Sequence, residues 1–276
     1  MEFWKYSALG NTFLVIPVSR PPTAHRLRWI LQACAGRSGV FADGAALVHV
    51  PTARLSIYNA DGRRAEVSGN GARSAAAWWF TEQETGAREI VWRTDAGPID
   101  CRLRGTRNIE VTLPPPRFEA KAVPVRARAR ELWGVPLPAG VVRTPGLRMF
   151  ALSVGNPQCV VWVRHFPADW RQIGEALSTH RMFPDETNVV FARKSGRGLE
   201  VRLFERGVGE TASSGTGAAA AAIVSSQLGK TARKCTVRMA GGTMRVHWLS
   251  DGDIRLSGGV ARIAHGQLDR LAGSIR

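Results

Sequence analysis

Short apolar runs rich in β-branched and aromatic residues recur along the chain between polar or glycine-rich breaks. They are Phe13-Leu-Val-Ile16, Leu47-Val-His-Val50 and Leu55-Ser-Ile-Tyr58, then Val160-Val-Trp-Val163, Asn188-Val-Val-Phe191 and Leu199 to Phe204. Runs of this length and make-up predict strands. Two stretches differ. Ala72 to Phe80 and Ala218 to Gln227 are alanine-rich and apolar nearly all round. Helices of that kind belong in the middle of a core rather than on a surface.

The pattern occurs twice. Gly10-Asn11 and Gly155-Asn156 each precede a strand, at an offset of 156 − 11 = 145. Ile57-Tyr58-Asn59 aligns with Leu203-Phe204-Glu205 at 203 − 57 = 146, and Ser68-Gly-Asn-Gly-Ala72 aligns with Ser214-Gly-Thr-Gly-Ala218 at 214 − 68 = 146. Ala96-Gly97 aligns with Ala240-Gly241 at 240 − 96 = 144. Four ordered matches at nearly one offset predict two copies of one unit, packed as pseudo-symmetric lobes. Pro114-Pro-Pro116 is the expected break, because proline removes ladder donors. The expected lobes are residues 1–116 and 117–262, with 263–276 able to return to the first.

Composition changes the picture little. The chain has 276 residues, 44% of them hydrophobic, enough for two domains with real cores. No apolar run is long enough to span a bilayer, and the first residues lack a signal-peptide layout, so the expectation is a cytoplasmic protein without membrane partners. The net charge of +16 favours anionic partners. However, 38 basic residues less 5 lysines leaves 33 arginines, spread along the whole chain. The densest cluster is only Arg126-Ala-Arg-Ala-Arg130, and no nucleic-acid-binding motif is visible. The charge therefore reads as arginine bias rather than as a nucleic-acid site. Cys34, Cys101, Cys159 and Cys235 are scattered without CxxC spacing, so neither a metal site nor a disulfide framework is expected. They read as buried small hydrophobes, with Cys159 a minor candidate for a reactive thiol beside Gly155-Asn156-Pro157. No cofactor fingerprint is visible. Trp78-Trp79 reads as core packing, and His49 and His247 as ordinary strand histidines.

The chemistry sits in the two turns Ser68-Gly69-Asn70-Gly71 and Ser214-Gly215-Thr216-Gly217. A helix start leaves unpaired N–H groups and partial positive charge, which suits an anion, and glycine lets a ligand approach the backbone. The plain alternative is that both turns are N-caps, for which Ser, Asn and Thr are favoured. Their occurrence as a matched pair favours the anion reading.

These motifs resemble the diaminopimelate epimerase family. The resemblance rests on Ala8-Leu-Gly-Asn11-Thr-Phe13, Tyr58-Asn59-Ala-Asp-Gly62, Ser68 to Arg73, Gly155-Asn156-Pro157, and Glu205-Arg206-Gly-Val-Gly-Glu210-Thr211 through Gly217. It runs from residue 1 to about 260 in matching order. It implies an α/β (α+β) fold of two pseudo-symmetric lobes, each a sheet wrapped round a central helix, with the active site between them. It also implies cofactor-independent inversion of an amino-acid α-carbon, LL- to meso-diaminopimelate, in lysine and peptidoglycan-precursor synthesis. One cysteine removes the proton and a second returns one from the opposite face. The resemblance places the substrate carboxylate on Gly69, Asn70, Gly215 and Thr216 at the two helix starts. It places the distal end on Asn59, Asn156, Asn188, Glu205 and Arg206, with Asn11 near the reacting centre. A homodimer is compatible with it.

In this chain the two cysteine positions are Ser68 and Ser214. A thiol ionises near pH 8.5 and an alcohol near 15.7, so a serine needs a partner base. Glu66 is the carboxylate nearest a serine in sequence, with Asp43 and Glu210 as further candidates. Gln158 stands where the family usually has histidine, Gly44 where it has glutamine, and Arg63-Arg64 where it has an acidic residue. Three readings stay open at this point: an isomerase using another base, a lyase or dehydratase working from one face, and a non-catalytic amino-acid-binding protein.

Overall fold

A computed structural model describes the chain except residues 35–38, 66–67, 85, 96, 127–130, 139, 142–145 and 270–276. The chain forms two compact units, Met1–Ile109 with Gly259–Arg276, and Glu110–Gly258.

The first unit contains β1 (Glu2–Ala8), β2 (Asn11–Val18), α1 (Ala24–Cys34), β3 (Gly44–His49), β4 (Arg54–Asn59), α2 (Gly69–Glu82), β5 (Glu89–Thr94) and β6 (Gly97–Leu103). The strand β7 (Asn108–Leu113) runs across the border between the units. The second unit contains β8 (Trp133–Pro136), β9 (Arg148–Ser153), β10 (Pro157–Trp162), α3 (Trp170–Ser178), β11 (Asn188–Ser195), β12 (Gly198–Glu205), β13 (Gly209–Thr211), α4 (Gly215–Gln227), β14 (Lys234–Met239) and β15 (Gly242–Trp248). The long strand β16 (Ile254–Gln267) then leads back into the first unit.

The repeat read from the sequence is a repeat of topology. β1 and β2 pair antiparallel, β2 and β3 parallel, β3 and β4 antiparallel, β4 and β5 parallel, and β5 and β6 antiparallel. The series β9, β10, β11, β12, β14, β15 repeats that order of directions. Parallel neighbours need a crossover, and in both units a helix supplies it: α1 and α2 in one, α3 and α4 in the other. The first unit follows the order β1-β2-β3-β4-β5-β6-β7-β16, and β16 pairs back onto β1, which closes an eight-stranded barrel. The second follows β16-β15-β14-β12-β11-β10-β9-β8, with β13 beside β12.

α2 packs against β1, β2, β3, β4 and β6, and α4 against β9, β10, β11, β12, β14 and β15. Each helix is thus surrounded by its own sheet, which explains the alanines: a thin helix is the one that fits. Ala72, Ala75 and Ala76 are fully buried, as are Ala218 to Ala221. The helices begin three residues earlier than the alanine pattern alone marks, because the glycine turns form their first turns. Gly71 and Gly217 are required by this packing. A Cβ at Gly71 would lie 2.8 Å from Ile57 Cδ1, and one at Gly217 2.8 Å from Leu203 Cδ2, the repeat-equivalent residue. A second layer covers the outer faces. Leu14, Ile16 and Leu47 pack with Ile30 of α1, and Val189 and Phe191 pack with Trp170, Ile173 and Leu177 of α3. Trp78 lies edge-on to Trp4 at 5.6 Å, as core packing requires. Among the described residues no helix is long and apolar enough to cross a membrane.

Candidate active site

Ser68 is the N-cap of α2, and its Oγ accepts the Gly71 backbone N–H at 3.1 Å. Ser214 caps α4 in the same way, accepting from Gly217 N at 3.2 Å. The plain capping reading of both turns is therefore realised. It does not compete with the anion reading, because each cap satisfies one N–H of a first turn that has four orphan donors.

In the first unit, Arg73 Nη2 donates to Asn70 Oδ1 at 2.7 Å, and Asn70 Nδ2 donates to Asn11 Oδ1 at 3.2 Å. The Gly10-Asn11 and Ser68-Gly-Asn-Gly motifs, 59 residues apart between Asn11 and Asn70, meet through these two amides. Asn59 ends β4 in a turn, where its carbonyl accepts Gly62 N at 3.0 Å and its N–H bonds Arg63 O at 2.9 Å. Ser68 also lines a cavity of about 260 Å³ with Leu55, Ile57, Arg64, Thr94 and Asp95. Asp95 is clamped between Arg54 and Arg64.

In the second unit, Gln158 is fully buried, and its Nε2 donates to Asn156 Oδ1 at 2.9 Å and to Thr216 Oγ1 at 3.1 Å. Gln158 thus ties Asn156 to the first turn of α4. Thr216 Oγ1 also lies 3.4 Å from Ser214 Oγ. Asn188 Nδ2 donates to Pro157 O at 2.9 Å, and its Oδ1 accepts Arg206 N at 3.1 Å. Each end of that amide keeps a second donor or acceptor site. Arg206 Nη1 donates to Asp185 O at 2.9 Å, and Glu205, the last residue of β12, precedes it.

The candidate bases fare differently. Glu66 lies outside the described residues. Asp43 accepts both the N–H and the hydroxyl of Thr12, at 2.6 and 2.9 Å, and so holds the start of β2. Glu210 is held by Arg171 at 2.5 and 3.1 Å. Neither is a free base. Cys159 is fully buried against Met149, and burial pushes its thiol up to about 12, so it does not serve as a replacement nucleophile. At Gly44 a Cβ would collide with the Tyr58 carbonyl oxygen and lie 2.9 Å from Phe13 Cε1. The backbone here thus leaves no room for a side chain. His49 bonds Thr52 and Ser19, away from the two turns. The sequence reading missed Arg73 and Asp95, and saw Gln158 only as a departure. Among the described residues no cluster of ligating side chains fits a metal ion.

Comparison with known proteins supports one family. A family model for diaminopimelate epimerase matches residues 150–263. The chain is 34% identical to the diaminopimelate epimerase of Desulforudis audaxviator, over 97% of this chain and 99% of that one. It is 31% identical to that of Caldanaerobacter subterraneus subsp. tengcongensis, over 98% of this chain and 100% of the other. The fold is shared with a hydroxyproline epimerase from Agrobacterium vitis, at TM-score 0.67 and 15% identity over 96% and 91% of the two chains. It is also shared with a phenazine biosynthesis protein of the PhzF family from Bacillus anthracis, at TM-score 0.68 and 14% identity over 97% and 98%.

Proposed function

This chain belongs to the diaminopimelate epimerase family, and from that premise we propose that it is an amino-acid epimerase working without a cofactor or a thiol pair. Its substrate is LL-diaminopimelate or a close bis-zwitterion, and its place is the cytoplasmic supply of lysine and peptidoglycan precursors. The observation that carries this reading is the matched pair of serine-capped helix starts, each tied to the asparagine of a Gly-Asn motif.

The early amides of α2, with Asn70 beside them, and those of α4, with Thr216 beside them, are each suited to a carboxylate such as that on the substrate α-carbon. Developing negative charge at the α-carbon is stabilised by the same fixed dipoles. We assign Ser68 and Ser214 to the positions of the family's two cysteines and give each a part in proton transfer. A hydroxyl that accepts an N–H bond keeps its own proton to donate, which suits it to the reprotonation step. For abstraction it needs a base, and Glu66, two residues before Ser68, is the assignment we make. Asn156, Asn188, Glu205 and Arg206 hold the distal amino-acid group, a carboxylate beside a guanidinium being matched to a zwitterion.

The substrate class is tested by comparing LL-diaminopimelate with L-lysine, which lacks the distal carboxylate. α-Deuteration in heavy water is expected for the first and at most one-hundredth of that rate for the second. Equal rates would contradict the role given to Arg206. A new absorbing product in place of a diastereomer would point to a lyase.

A further inference from the structure

Arg73 sits one turn into α2 and is 0% exposed. Side chains on a helix point back toward its N-terminus, so the guanidinium lies beneath the first turn, where it meets Asn70. Of its donors, Nη2 is used, while Nε and Nη1 have no protein partner among the described residues. Among the described residues it makes no ion pair with a carboxylate, and burial lowers the guanidinium to about 10. A buried, half-satisfied charge is unfavourable to folding. The second unit shows that the helix does not need it: the equivalent residue, at 73 + 146 = 219, is Ala219, also fully buried.

Arginine has donors and no acceptor. Its contact therefore forces Asn70 to turn Oδ1 inward, which leaves Nδ2 to donate to Asn11 Oδ1. With Asn11 Oδ1 accepting there, the Nδ2 group is the donor end of that amide left to a ligand. One residue thus sets the polarity of two amides.

We propose that Arg73 is a positioning residue that orients the Asn70–Asn11 relay so that amide donors, rather than acceptors, meet the substrate anion, and that it supplies a buried positive charge under the same helix start. The inference rests on the epimerase reading for its ligand. In unit 2 the corresponding asparagine, Asn156, has its Oδ1 held by Gln158 instead.

The test is Arg73→Met, which keeps the length and removes the charge and donors, with Arg73→Lys as a second variant that keeps the charge. Melting temperature without ligand and binding of LL-diaminopimelate by titration calorimetry are measured for both and for the native chain. The expected result is a melting temperature unchanged or raised in Arg73→Met, with binding weakened at least ten-fold, and an intermediate loss in Arg73→Lys. A melting temperature lowered by several degrees, or binding within two-fold of native, would overturn the proposal. Should Arg73→Met not fold, the group serves the fold and the proposal fails. Should the native chain not bind LL-diaminopimelate, the epimerase reading fails instead, and the direction of the melting shift alone decides the role of Arg73.

Discussion

Putting thiols back at the two cap positions is the perturbation with the largest expected effect. Ser68 Oγ and Ser214 Oγ each lie 3.1–3.2 Å from an amide of the first helical turn. That is a setting which lowers a thiol pKa. The alcohol-to-thiol gap is about 7 pKa units, or roughly 10 kcal/mol in the availability of the ionised base. Roughly half of this is returned, because the stronger base accepts a proton more readily. About 5 kcal/mol remains, a rate gain of roughly 10³–10⁴-fold. Against this stands the loss of two caps, about 1 kcal/mol each. Ser214 is only 4% exposed, so the larger sulfur must also be accommodated beside Thr216 and Met239. The Ser68→Cys/Ser214→Cys protein should therefore melt lower yet deuterate LL-diaminopimelate far faster at pH 8, followed by proton NMR. Each single variant should show a smaller gain, since only one of the two caps then carries a thiol. A folded double variant that binds substrate and exchanges within ten-fold of the native chain would refute the assignment of these serines to the proton-transfer positions.

Three further outcomes follow from packing and charge. Trp78→Ala removes a ring that is 1% exposed and packed on Trp4 and Trp79, and should lower stability by about 3–5 kcal/mol in urea titrations. Burial raises Cys34 to about 11 and Cys159 to about 12, and pushes Cys101 and Cys235 upward too. No thiol should react with a disulfide reagent at pH 8 in the native protein, and all four should react once it is unfolded; a fast native thiol would contradict this. Hydrogen bonds from Arg193 and then Arg238 lower Glu200. A depressed carboxylate stabilises the fold above its unfolded pKa and loses that effect as pH falls through the lower folded value. Glu200→Gln should thus lose about 1 kcal/mol at pH 7, and the difference should vanish at the acid end of the carboxylate range.

The two-unit plan was legible because it is written in local pattern. Strand runs, alanine helices and glycine turns repeat at one offset, and the topology repeats with them. The capping serines were equally visible, since a cap depends on residues three apart. What escaped depends on contacts distant in sequence. Gly71 and Gly217 looked like room for a ligand, but their lack of a side chain is demanded by Ile57 and Leu203 on neighbouring strands. Asp43 and Glu210 looked like available bases until Thr12 and Arg171 were placed against them. Arg73 was quoted within a motif, yet nothing local says that a guanidinium one turn into a helix is buried. The barrel closure by β16 onto β1 joins the two ends of the chain, where no periodicity could signal it.

The central claim is that a pair of serine-capped helix starts epimerises an amino acid without thiols. It is tested most directly by proton NMR of LL-diaminopimelate with the native protein in heavy water. Loss of the α-proton signal together with growth of the meso form is the expected result. Binding seen as line broadening, with the α-proton intact and no meso form after prolonged incubation, would contradict it.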